Sequence, residues 1–336
     1  MRLPRPRGPF SERVFAELVG SDPSPTPVEA TSASVLSDDD VQVALWALYE
    51  LHYRGFEDVD PGHEWSPGLL TTRREVEQRF EDALRELTGP AVDRAIGGAG
   101  TTAAQLLAVI DDVEDDPHLD RFLQRAATEE QYLEFLIHRS LYHLKESDPH
   151  AWAVPRLAGA PKVALAELQY DEFGGGRPDR LHSTLFARAL EGAGLDATYG
   201  AYVDVVPAQT LAVNNAMSFF GLHRRLRGAI MGHLAAFEST SSLPCRRYSA
   251  GADRLGLGAS VQGYFDEHVE ADAVHEQLAV RSICQRLVDE EPALQSDVLT
   301  GAAACVALDA LAGRQMIDAW EQGCSSLLVG SREEVA

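Results

Sequence analysis

Stretches with the 3.6-residue period of amphipathic helices follow one another from residue 38 to 328, and the alternation of half-buried strands is almost missing. Only "YGAYVDVV" (199–206) tempts as a strand, and it reads as a connector. Such a chain must bury helix stripes against one another, so the fold class is all-α. "SDDDVQVALWALYELHYRGF" predicts a helix over 38–54, with Ser37 or Asp38 as cap and acids in the first turn. Further helices are expected over 66–87 and 101–114, with a break at 89–100. One long helix is expected to run to Glu146 and to stop near Pro149. "APKVALAELQYDEF" is helical, "GGGRP" interrupts it, and Pro178 suits a new start over 178–193. More helix is expected in 207–239, 258–290 and 293–328. Residues 1–36, rich in Pro, Ser and Thr, read as a flexible N-terminal arm.

Charge narrows the partners. Lys and Arg number 29 against 52 Asp and Glu, so neither nucleic acid nor an anionic membrane surface would attract this chain. No apolar run is read as approaching the roughly 20 residues of a membrane-spanning helix. "MRLPRPRGPF" lacks an apolar signal core. Cys245, Cys284, Cys305 and Cys324 are widely spaced with no CxxC, and read as reduced thiols. Together these point to a cytoplasmic protein. "GGGRP" lacks the Lys-Ser/Thr ending of a phosphate loop, and no GxSxG elbow is present.

The sharpest chemical signal is "EHVEADAVHEQ" (267–277). At about 100° per residue, Asp272 lies roughly 40° and His275 roughly −20° from His268. Val261, Phe265 and Leu278 share that direction, whereas Glu267, Glu270 and Glu276 point elsewhere. Two imidazoles and a carboxylate thus interrupt an inward stripe. A buried carboxylate needs a partner. A cation is one candidate, and a satisfied His–Asp–His network is the other.

Other helices offer matching groups. Leu165, Leu168 and Glu172 fall at i, i+3, i+7, which ends an apolar stripe in a carboxylate. Asp179 and His182, three apart, would share one helical face with Leu185, Phe186 and Ala189. On the long helix Glu146 would share a face with Phe135 and Tyr142. Each has a plainer reading: Glu146 as a surface acid, Asp179 as a charge on a helix N-terminus, His182 as a hydrogen-bonded core histidine. Jointly, four carboxylates and three histidines on inward faces suit two iron ions, with positions left for dioxygen and substrate. Asn214, Asn215, His233 and Glu238 sit in partly apolar helical sequence and read as satisfying one another, with lining of a substrate cavity as the alternative. Glu50, His52 and Arg54 read as structural, with contact to substrate as the alternative.

Four segments carry a resemblance: "EFLIHRSLYHLKESDPHAWAVPRL", "DEFGGGRPDRLHSTLF", "NNAMSFFGLHRRLRGAIMGHLAAFESTSS" and "EHVEADAVHE". They resemble the iron-containing redox enzyme family, the haem-oxygenase-like di-iron oxidases and oxygenases. That family's ligand pattern is a Glu, then Glu-x6-carboxylate-x2-His, then His-x3-Asp-x2-His. The chain supplies Glu146, then Glu172, Asp179 and His182, then His268, Asp272 and His275. Glu134, on a different helical face, competes for the first place. The resemblance implies a haem-oxygenase-like bundle of about seven core helices without haem, over 116–330. Residues 37–115 would be accessory helices packed on it. It also implies two Fe(II) ions as cofactor and O2 as co-substrate, with Gln169, Asp171 and Glu276 as candidates for orienting the ligands.

The reading is therefore an O2-dependent non-haem di-iron oxidoreductase. Its substrate is a small organic molecule: an amine, an amino acid or a fatty-acid-like compound. The alternatives are a metal-free bundle that binds a small molecule or partner protein, and a single-metal or manganese enzyme. A homodimer and an external electron donor stay open as partners.

Overall fold

A computed structural model describes residues 1–28, 34–112 and 118–328, apart from the side chains of 270–274. Among the described residues every regular element is a helix. In chain order they are α1 (Pro9–Val19), α2 (Asp39–Glu50), α3 (Pro67–Gly97), α4 (Thr102–Asp111), α5 (Leu119–Arg125), α6 (Glu129–His143) and α7 (Asp148–Ala151). There follow α8 (Gly159–Glu172), α9 (His182–Gly192), α10 (Ala208–Leu222), α11 (Arg227–Leu255), α12 (Ala259–Gln277), α13 (Arg286–Glu290) and α14 (Gln295–Glu321). A π-helical stretch, Leu278–Gln285, joins α12 to α13.

The N-terminal residues are not a loose arm. Phe10, Val14, Phe15 and Leu18 of α1 are buried in the main core. The cap comes from another helix: the Asp40 carboxylate accepts from the amides of Phe10 at 2.8 Å and Ser11 at 2.6 Å. Ahead of it, the amides of Leu3 and Arg5 donate to Asp58 and Asp204. A cap drawn from residue 40 leaves no local signature before residue 9.

Helix α2 starts as expected, with Asp38 accepting from the amides of Asp40 and Val41. Two breaks move. α3 runs through the expected interruption to Gly97 with Pro90 inside it, because Leu84, Thr88, Val92 and Ala95 hold its inner face in the core. The expected long helix is instead two, split by the capping box of Thr128 and Gln131.

The bundle is built around α11 and α14. Gly232 and Gly301 face each other's helix so closely that a Cβ at Gly232 would strike the Val298 carbonyl, and one at Gly301 the Ala229 carbonyl. Contrary to the sequence reading, Pro292–Glu321 is long and apolar enough to cross a membrane by length and composition. Here it packs against α3, α4, α10 and α11 and buries Val298 to Trp320 along its inner faces. Cys245, Cys284 and Cys305 are buried, Cys324 is exposed, and all four stand outside any disulfide.

His138 on α6 bridges the hydroxyls of Thr210 at 2.6 Å and Ser326 at 3.0 Å. Burial lowers its pKa to about 3, and lowers that of His233 to about 4. Both stay neutral in the fold, whereas the unfolded chain protonates them below about pH 6.5. Between roughly pH 4 and pH 6.5 the unfolded state thus holds about two more protons. Stability is full above that window and falls as pH drops through it, by at most about 2.7 kcal/mol per pH unit from these groups. Urea midpoints at pH 7 and pH 5 should show the loss, and His138→Gln should shrink it. Equal midpoints would contradict the burial of neutral imidazoles.

Candidate metal centre

Five elements converge on one buried polar cluster. Glu146 lies in the turn after α6, Glu172 ends α8, His182 begins α9, Glu238 lies on α11, and His268 and His275 lie two turns apart on α12. All six are buried. They form two groups. One ligand atom from each of Glu146, His182 and His268 lies within 4.8 Å of the others, and the same holds for Glu172, Glu238 and His275. Glu172 joins the groups: Oε2 is 3.2 Å from His182 Nδ1, and Oε1 is 3.5 Å from His275 Nδ1. His275 Nδ1 is 3.4 Å from Glu238 Oε2, and His268 Nε2 is 3.5 Å from Glu146 Oε1.

Local structure aims these atoms. His268 Nδ1 donates to the Tyr264 carbonyl at 2.8 Å, which leaves the Nε2 lone pair turned towards Glu146. The Tyr264 hydroxyl donates to Glu146 at 2.9 Å and 3.1 Å, and His143 Nδ1 sits 2.8 Å from Glu146 Oε1. Burial alone would raise the Glu146 pKa, but His143 and His268 outweigh it and hold the carboxyl well below its usual range. Burial, with the Glu146 charge second, drives the Tyr264 phenol well above its ordinary value, so it stays a donor. Burial depresses His182, and Glu172 beside it more than restores the proton affinity.

The residues fit a metal. Three carboxylates and three imidazoles are buried face to face, a costly arrangement without a shared counter-charge. His182 Nδ1 points at Glu172 from 3.2 Å but off the line of a hydrogen bond. Oxygen and imidazole nitrogen without thiolate suits iron or manganese.

Of the sequence candidates, Glu146, Glu172, His182, His268 and His275 come together. Asp179 does not. It is exposed in the short turn Pro178–Arg180, 3.4 Å from Arg177, with its carbonyl taken by Arg188. Gly174, Gly175 and Gly176 all have positive φ and turn the chain before α9 starts at His182, so the expected shared helical face does not form. The Asp272 side chain lies outside the described residues. Glu146 is not on the long helix either, since α6 ends at His143 and Ser147 takes φ 69. Glu134 is occupied elsewhere, accepting from Trp320, Ser325 and Ser326.

Glu238 is the residue the sequence reading misplaced. Its signal was an acid inside the apolar run of α11, read there as one of four mutually satisfied polar groups. Those four separate: Asn215 bonds Gln42, while Asn214 and His233 line a cavity. Around the centre, Asp171 Oδ2 stands 3.6 Å from His275 Nε2. Gln169 donates to Ser147 and fixes the turn of Glu146. Glu276 instead accepts from Gln277. Glu50 pairs with Lys145 at 3.3 Å and Arg54 donates to the Leu144 carbonyl, so α2 pins the same turn. Glu238→Gln should therefore weaken ferrous binding far more than Asp179→Asn, read from anaerobic isotherms. The reverse order would return Asp179 to the ligand set.

A cavity of about 370 Å³ adjoins the centre. His143, Tyr264 and His268 bound it on that side, and Phe135, Met217 and Phe237 supply apolar wall.

Fold and site define an all-α bundle with a buried carboxylate–imidazole centre, the build of haem-oxygenase-like iron proteins. The chain belongs to the iron-containing redox enzyme family, whose profile matches residues 133–310. It is also similar to a nitrosourea synthase of Streptomyces achromogenes subsp. streptozoticus, 29% identical over 227 residues. That match covers 64% of this chain and 47% of the relative, so the chain spans about half the length of the curated relative it matches.

Proposed function

We propose that the protein is a non-haem di-iron oxidoreductase that uses O2 to oxidise a small organic substrate held in the adjoining cavity. Glu146, His182 and His268 would hold one iron, and Glu172, Glu238 and His275 the other. Asp272 would join them by its place in the family pattern. The observation that carries this reading is Glu172, which turns one oxygen to each group. Bound iron supplies the electrons that activate dioxygen.

The chain's own groups do the rest. Tyr264 keeps a hydroxyl proton on Glu146 and fixes the carboxylate's orientation. The bond from Nδ1 to Tyr264 keeps His268 in one tautomer. Phe135, Met217 and Phe237 give the cavity an apolar wall and suit it to an apolar body. A nitrosourea contains an oxidised nitrogen, so the relative's name favours a nitrogen-bearing substrate.

Anaerobic ferrous titration with Mössbauer spectroscopy tests this. Close to two coupled irons per chain are expected. A folded protein that takes up none under ferrous excess would favour a metal-free polar network.

A further inference from the structure

The cavity wall carries one ion pair. Arg139 on α6 donates to Asp309 on α14, through Nη1 at 2.9 Å and Nη2 at 3.5 Å. Both line the cavity, and the Asp309 side chain is 48% exposed against 20% for Arg139. Arg139 stands one helical turn before His143, about 6 Å along the axis. His143 in turn touches Glu146. The pair and the centre therefore open on the same space. A second observation is independent of charge. Asn214 also lines the cavity and is buried; its Nδ2 donates to the Thr210 carbonyl at 3.0 Å, but its Oδ1 has no donor among the described residues. A buried acceptor left unmet calls for an N–H or O–H from a ligand.

We infer that Arg139 and Asp309 form the head-group subsite for a zwitterionic α-amino acid, whose side chain runs towards His268 and the metal centre. This rests on reading the cavity as the substrate site of that centre. The guanidinium takes the carboxylate through two parallel hydrogen bonds, and the Asp309 carboxylate takes the ammonium.

Charge balance selects this class. A zwitterion trades the Arg139–Asp309 contact for two crossed pairs and leaves no charge alone. A fatty acid would engage Arg139 and strand Asp309. A simple amine would do the opposite. Either leaves a partly buried charge without its partner, which is the costly outcome. The cavity's other acid, Asp120, is already paired with Arg247 and does not upset the count. The apolar wall then suits the middle of the side chain, and Asn214 Oδ1 a polar hydrogen along it.

The test is calorimetric binding of the twenty common L-amino acids, in argon, to iron-free and ferrous-loaded protein. The tightest binder is then compared with its decarboxylated amine and its deaminated acid. The amino acid is expected to bind at least about tenfold tighter than either. Arg139→Gln should erase its advantage over the amine, and Asp309→Asn its advantage over the acid. Arg139→Lys and Asp309→Glu should restore part of each, which separates recognition from a folding defect. The inference is overturned if no amino acid binds at millimolar concentration. It is equally overturned if an amine or carboxylic acid binds as tightly, or if both neutral variants keep the discrimination. Iron uptake is read separately. Discrimination without iron uptake would sink the di-iron reading alone, and iron uptake without discrimination would sink this one alone.

Discussion

Anaerobic titration of the Glu172→Gln protein should show ferrous binding weakened by more than about 100-fold at both groups of the centre. Among the described side chains Glu172 is the one placed against both, 3.2 Å from His182 and 3.5 Å from His275. Its amide replacement is neutral and leaves three imidazoles facing two carboxylates. Loss of a partner that merely orients a ligand typically costs 10–100-fold, so a shared ligand should cost more. The size and shape of Gln match Glu, and Glu172 ends its helix, so α8 should persist in circular dichroism. Two tight ferrous sites in this variant would show that Glu172 is a structural acid and that the two groups are unrelated.

His275→Ala should stop ferrous oxidation in air-saturated buffer, followed by optical absorption, to below about one hundredth of the parent rate. That threshold again exceeds what an outer partner is worth. The imidazole stands between Glu172 Oε1 at 3.5 Å and Glu238 Oε2 at 3.4 Å. Removing it leaves two buried acids facing each other, and like charges disfavour joint ionisation. The variant should therefore lose one group of ligands rather than one bond. Helix α12 should survive, because Ala is the strongest helix former. Glu276→Ala is the control and should oxidise iron at the parent rate, since Glu276 bonds only its neighbour Gln277 among the contacts described. Parent-rate oxidation by His275→Ala would remove the residue from the centre.

How legible was all this? The helical class was, because period and cap signals agreed over most of the chain. So was the gathering of Glu146, Glu172, His182, His268 and His275 in one place, because His268 and His275 break an apolar stripe whose spacing any helix must respect and the other three begin, end or follow such stripes. Failures came where the determinant lay far away in sequence, in packing, or in the backbone of a turn. Asp40 caps α1 from 30 residues on, so the N-terminal segment looked unstructured. Pro90 sits in a helix that packing, not propensity, maintains. Asp179 was placed by assuming that α9 began before it, while three glycines with positive φ turn the chain out of any such helix. Glu238 carried no motif. Only the burial of 228–236 all round α11, just before it, reveals that its carboxylate must meet something charged.

The turn of Glu146, the last residue of α8, the first of α9 and the bodies of α11 and α12 bring together groups that are far apart along the chain. No two neighbouring helices assemble either group alone. Forming the centre therefore requires closing several long loops, the slow, non-local part of folding. Metal cannot serve as the nucleus on which this chain organises itself, unlike small metal-dependent domains that fold only around their ion. A metal ion held by these residues would enter a bundle already closed and, by binding only the folded state, would add to its stability in proportion to its supply.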